Sequence, residues 1–147
     1  MIAGKCAEEH ERRYLDEEVA PLLGDGVAFI GEVHGERKEE LLADASCLLV
    51  PSQWEEPFGL VCIEALAAGT AVVGLRRGAV SELVDHGRTG WLADDPDELA
   101  GLIARVGEID PHACRSTALE RYDVGAMAAG YERAYRSVLS RAVTDRQ

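Results

Sequence analysis

The chain has 147 residues, 47% of them hydrophobic, enough to bury one core and a squeeze for two domains. A net charge of −12 excludes broad contact with nucleic acid or anionic lipid, because both require a basic surface. The longest apolar runs, such as Cys47 to Val50, fall far short of the roughly 20 residues that span a bilayer. The opening MIAGKCAEEH also lacks a secretion signal, so a cytoplasmic chain is expected.

In chain order, the pattern alternates short β-like runs with amphipathic helical ones, which predicts an α/β domain with a mainly parallel sheet. A first strand is expected at Met1 to Gly4. A helix follows from about Glu8 to Leu23, where Tyr14, Leu15, Val19, Leu22 and Leu23 recur at helical spacing, until Gly24 to Gly26 stops it. Val27 to Gly31 reads as the next strand, and Lys38 to Ala45 as a short helix with Leu41 and Leu42 facing inward. A third strand closes at Pro51. After the loop SQWEEPF, a helix runs from roughly Gly59 to Ala68, with Gly69 at its left-handed cap. TAVVGL is a fourth strand, Val80 to Val84 a helical turn, and GWLA a short strand after the bracket DHGRTG, whose Gly87 and Gly90 read as turn residues. A helix opens at Pro96 and runs to about Val106. Two more cover Pro111 to Arg121 and Val124 to Ala142.

The four cysteines, Cys6, Cys47, Cys62 and Cys114, form no CxxC pair and have no histidine at ligand spacing. They read as reduced and mostly packed, with no metal site. His10, His34, His86 and His112 sit in polar or turn-like contexts and are assigned no chemistry.

The stretch from Glu56 to Gly69 carries the chemistry. A strand ends and a glycine opens a helix, so the backbone N–H groups of Phe58, Gly59, Leu60 and Val61 are expected at the carboxyl edge of a parallel sheet, where ligands of such folds bind. Helix N-termini favour anions through their unpaired amides and about half a positive charge of dipole. Gly59 allows close approach to the backbone. Glu56 before the helix and Glu64 after its first turn are placed to accept hydroxyl hydrogen bonds from a sugar or ribose. The spacing itself proves little, since Glu9 with Glu17 and Glu32 with Glu40 share it and read as solvated faces. The filling distinguishes the third pair: Pro57, Phe58 and Gly59, then an apolar run ending in AAGT.

These residues resemble a known family. VPSQWEEPFGLVCIEALAAGTAVV, Val50 to Val73, is similar to the central motif of the family-4 retaining glycosyltransferases, whose two-domain architecture is called GT-B. The segments Ile2 to Lys5, Val27 to Val33, Ser81 to Ala93 and Ala118 to Tyr135 resemble the same family's C-terminal domain, in order. The resemblance implies a Rossmann-like parallel sheet flanked by helices, the C-terminal half of a GT-B fold, over residues 1–147.

It also implies retaining transfer of a sugar from a nucleoside diphosphate-sugar to an acceptor hydroxyl, with no metal and no cofactor. Glu56 would take sugar hydroxyls, the amides of Phe58, Gly59 and Leu60 would hold sugar and diphosphate, and Glu64 would bind the ribose. The backbone at Val33 would touch the base. Lys38 would lie beside base or ribose, or is a plain helix lysine. Arg76, Arg77 and Gly78 either border the site or form an ordinary loop.

Against the family pattern, the first strand and the arginine and lysine that clamp the diphosphate are absent, as is the N-terminal acceptor domain. Alone, the chain is expected to bind nucleotide-sugar weakly and turn it over little. The missing strand is expected to leave unpaired edges that another chain, a second copy or a rearranged segment fills, while the acceptor side calls for the missing domain or another chain. The competing reading is a non-catalytic nucleotide-sugar-binding subunit or regulatory module. A generic dinucleotide-binding domain would need GxGxxG after a strand, and none is present. Cys6 stands where the family commonly has glycine.

Overall fold

The computed structural model describes residues 1–144, with side chains to Ser140. It falls into two compact units, Met1–Leu41 and Leu42 onward.

In the first unit, the two expected strands do meet in parallel, though only as a single bridge between Ile2 and Phe29. The Ile2 amide donates to the Ala28 carbonyl at 2.7 Å, and the Ile30 amide donates to the Ile2 carbonyl at 2.9 Å. Gly31, at φ +71°, then turns the chain out of the extended conformation. The single helix expected over Glu8 to Leu23 is three pieces: α1 (Glu9–Tyr14), a π-turn (Leu15–Val19) and a 3₁₀ turn (Ala20–Leu22). Pro21 is the cause, since it has no amide to give and its ring obstructs the preceding turn. The Ala20 amide reaches back to the Leu15 carbonyl, a five-residue span that widens the helix just before the proline. Gly24 and Val27 exchange hydrogen bonds of 3.1 and 2.9 Å across the tight turn at Gly24 to Gly26.

The division between units falls inside α2 (Gly35–Asp44), which starts three residues before the expected Lys38. Leu42 is buried and Leu41 half-buried, as anticipated. Beyond it stands a parallel sheet in the order β1 (Cys47–Val50), β2 (Ala71–Leu75), β3 (Gly90–Ala93). Its strands read CLLV, AVVGL and GWLA, apolar without alternation, as a parallel sheet covered on both faces demands. β2 is buried throughout. Around it pack α3 (Leu60–Ala68), α4 (Val80–Leu83), α5 (Leu99–Ile103) and α6 (Pro111–Tyr122), followed by α7 (Val124–Thr144). Leu66, Val72, Val73, Leu75, Val80, Cys62 and Cys114 are fully buried between them. β1 is an edge strand among the described residues, and Leu49 on it is 43% exposed.

Prolines open the later helices as expected. Asp95 caps Pro96–Glu98 by accepting from the Asp97 amide at 2.9 Å, and Asp110 caps α6 by accepting from the His112 amide at 2.9 Å. The helix expected from Pro96 to Val106 is broken, with 3₁₀ turns at Pro96–Glu98 and Val106–Glu108 around the short α5. Trp91 of β3 accounts for the far break: its indole N–H donates to the Arg105 carbonyl at 3.2 Å, while the Arg105 guanidinium lies 3.9 Å over its ring. Gly87 is a turn residue at φ +80°, but Gly90 is the first residue of β3. His86 braces that strand by accepting from the Leu92 amide at 3.0 Å. All four cysteines are free thiols.

Candidate functional site

The site forms where β1 and β2 end. Gly59 is the N-cap of α3 in the left-handed conformation, φ +70°, and the Leu83 methyl of α4 sits 2.8 Å from where its Cβ would be. A side chain at this position would both strain the backbone and push Leu83 away.

Glu56 folds back over this helix entrance. Its Oε1 accepts from the Gly59 amide at 3.1 Å and, at the long limit of 3.5 Å, from the Phe58 amide. A carboxylate thus already occupies the place where the dipole and amides favour negative charge. Leu60 begins the helix, in the first turn, where amides have no partner further back in the helix. Glu64, half-buried, lies four residues on and hence on the same face as Leu60. Cys62, fully buried, has its thiol pushed up to about 11 by burial and then by the Glu56 carboxylate. It is a neutral packing group, not a nucleophile.

The loop after β2 closes the other side. The Ala79 amide donates to the Glu56 carbonyl at 2.8 Å, and the Gly78 amide donates to Glu55 Oε2 at 2.6 Å. Gly78 has φ +49°, and a Cβ there would stand 2.4 Å from the Glu56 oxygen and 2.5 Å from its nitrogen. Of the stretch Arg76 to Gly78, only Gly78 docks its amide on this loop; the Arg76 amide donates to the Ala93 carbonyl and the Arg77 amide to the Leu75 carbonyl, each at 2.8 Å. Arg76 itself turns to Asp94 at 3.3 Å. α4 is secured from behind: Arg121 bonds Asp85 at 3.0 Å and the Glu82 carbonyl at 3.1 Å, and the Tyr122 hydroxyl lies 3.4 Å from the same carbonyl.

The structure therefore brings Glu56, Phe58, Gly59, Leu60 and Glu64 together along one loop and helix. Val33, in the irregular stretch before α2, and Lys38, near the start of α2, are half-buried and belong to the first unit. Sequence reading missed Glu55. Its signal was faint: a doubled carboxylate before a proline, answered by a glycine after the next strand.

Comparison with known proteins locates similar chains. The profile of the family described as "Glycosyl transferases group 1" matches residues 1–119. A phosphatidyl-myo-inositol mannosyltransferase of Mycolicibacterium smegmatis is 31% identical over 145 residues, covering 94% of this chain and 36% of that protein. Among solved structures, AviGT4, a glycosyltransferase involved in avilamycin A biosynthesis, superposes with a TM-score of 0.73 at 32% identity, over 95% of this chain and 43% of its own. Anabaena Alr3699/HepE, solved with UDP and glucose, gives 0.76 at 26% identity over 92% and 39%. This chain spans less than half the length of each.

Proposed function

Because the chain belongs to the glycosyl transferases group 1 family, we propose that it supplies the donor site for retaining transfer of a sugar from a nucleoside diphosphate-sugar to an acceptor hydroxyl. The observation that carries this reading is the entrance of α3, where left-handed Gly59 opens the helix at the carboxyl end of the sheet and its amide donates to Glu56 at 3.1 Å. In the reaction, the amides of Phe58, Gly59 and Leu60 stabilise the sugar and the departing diphosphate, whose negative charge grows as the bond to the sugar breaks. Glu56 accepts hydroxyls of the transferred sugar and orients it. Glu64 takes the ribose hydroxyls. Such local donors are needed because the −12 field of the chain opposes an anionic ligand. Alr3699/HepE, with its UDP and glucose, supports a nucleotide-sugar as the ligand class.

Titration with UDP-, GDP- and ADP-sugars, by calorimetry or NMR, tests the assignment. Hydrogen bonds to a charged carboxylate are worth about 1.5–3 kcal/mol each, so Glu64→Ala is expected to weaken the preferred sugar nucleotide by about tenfold or more. Absence of binding at millimolar concentration, or an undiminished Glu64→Ala variant, would remove the donor site from this segment.

We further propose that the acceptor side comes from a partner domain or chain, and that β1 pairs with an additional strand. β1 is apolar on both faces and carries no charge or proline to guard its edge. Size-exclusion chromatography with light scattering is expected to show self-association or a retained partner; a stable, well-folded monomer argues against it. Among the described residues, no helix is long and apolar enough to cross a membrane.

A further inference from the structure

We infer that Glu55 is a positioning residue for the donor site, tying the loop after β2 to the loop that carries Glu56. This rests on the donor-site reading above. Two successive amides make the tie: Gly78 donates to Glu55 Oε2 at 2.6 Å and Ala79 donates to the Glu56 carbonyl at 2.8 Å. Bonds from neighbouring amides to neighbouring residues fix both the place and the tilt of the Glu55–Glu56 segment, which a single bond would leave free to rotate. Three residues on, the Glu56 carboxylate is fastened to the Gly59 amide. The loop from Glu55 to Gly59 is thus held at both ends, and the orientation of Glu56 depends on both.

The fit at Gly78 shows how close this docking is. With 2.4 Å between a would-be Cβ and the Glu56 oxygen, the two backbones touch with no side chain between them. The carboxylate of Glu55 suits the role, since a charged acceptor makes a bond roughly twice as strong as a neutral one. Glu55 is exposed, so its contribution lies in the geometry of the loop rather than in the overall stability of the fold. A purely electrostatic role predicts the opposite sign, because deleting a negative charge beside a diphosphate would tighten binding.

The two possibilities separate in a pair of variants. Glu55→Ala is expected to weaken binding of the preferred sugar nucleotide, identified by the titration above, about tenfold, with a melting temperature within a few degrees of the parent. Glu55→Gln, whose amide oxygen can accept from Gly78, is expected to stay within about threefold. Hydrogen exchange at the Gly78 amide should accelerate at least tenfold in Glu55→Ala and remain near the parent rate in Glu55→Gln. Parent-like or tighter binding by Glu55→Ala overturns the inference, as does Glu55→Gln binding as weakly as Glu55→Ala. A parent protein that binds none of the UDP-, GDP- and ADP-sugars sinks the donor-site reading, and this role with it. A parent that binds, with Glu55→Ala equal to it, sinks the role of Glu55 alone.

Discussion

Replacing Gly90 with alanine is expected to cost about 3 kcal/mol or more and to lower the melting temperature by roughly 12 to 24 °C, given 4–8 °C per kcal/mol for a unit of this size. The cause is a collision that no rotamer can relieve. An alanine Cβ at this position would stand 1.9 Å from the Val72 carbonyl oxygen and 2.8 Å from its carbon. Both atoms belong to β2, the central strand, whose every residue is buried. Relief therefore requires β3 to move away from β2, which breaks the register that places Val72 opposite Gly90. Overpacked cores lose 1–3 kcal/mol when side chains can yield, and backbone has less room to give. Thermal melting of Gly90→Ala within a few degrees of the parent would show that the strand pair is looser than these contacts require.

Gly78→Ala is expected to act on the site more than on the sheet. Two costs combine there. An L-residue at φ +49° pays about 1–2 kcal/mol for its conformation, and its methyl would meet the Glu56 backbone at 2.4 and 2.5 Å. The easier escape is for the two loops to part, which surrenders the Gly78 and Ala79 hydrogen bonds and frees the segment carrying Glu56. Affinity for the sugar nucleotide that the parent prefers is expected to fall about thirtyfold or more, with a loss of stability near 2 kcal/mol. Binding within twofold of the parent, measured by calorimetry, would contradict the docking as a determinant of the site.

What could be read before the fold was known, and what could not, divides along physical lines. The order of strands and helices was legible because local signals mark it: Pro51 after an apolar run, Gly59 and Gly69 bracketing LVCIEALAA, Pro96 and Pro111 at helix starts. The core of the candidate site was legible for the same reason, since Glu56, Gly59 and Glu64 sit within one loop and helix. Pro21 carried a local signal too, but the spacing of Tyr14, Leu15 and Val19 favours a continuous helix and masks it. Gly90 looked like a turn residue beside Gly87. Its actual role depends on the approach of Val72, eighteen residues earlier, which no local pattern announces. The Glu55 to Gly78 bond spans 23 residues and is likewise a product of packing.

The carboxylate of Glu56 on the Gly59 amide has one further implication. A newcomer to that helix entrance does not fill a vacancy; it trades places. It must bring an acceptor good enough to replace Glu56 at the amides, and it must also offer donors to the displaced carboxylate, which would otherwise be left facing another anion. Inorganic phosphate meets the first condition and a free hexose the second. On the donor-site reading proposed above, a molecule in which phosphate and sugar are joined would meet both in one event, so the trade itself would discriminate before any contact with the base or the acceptor is made.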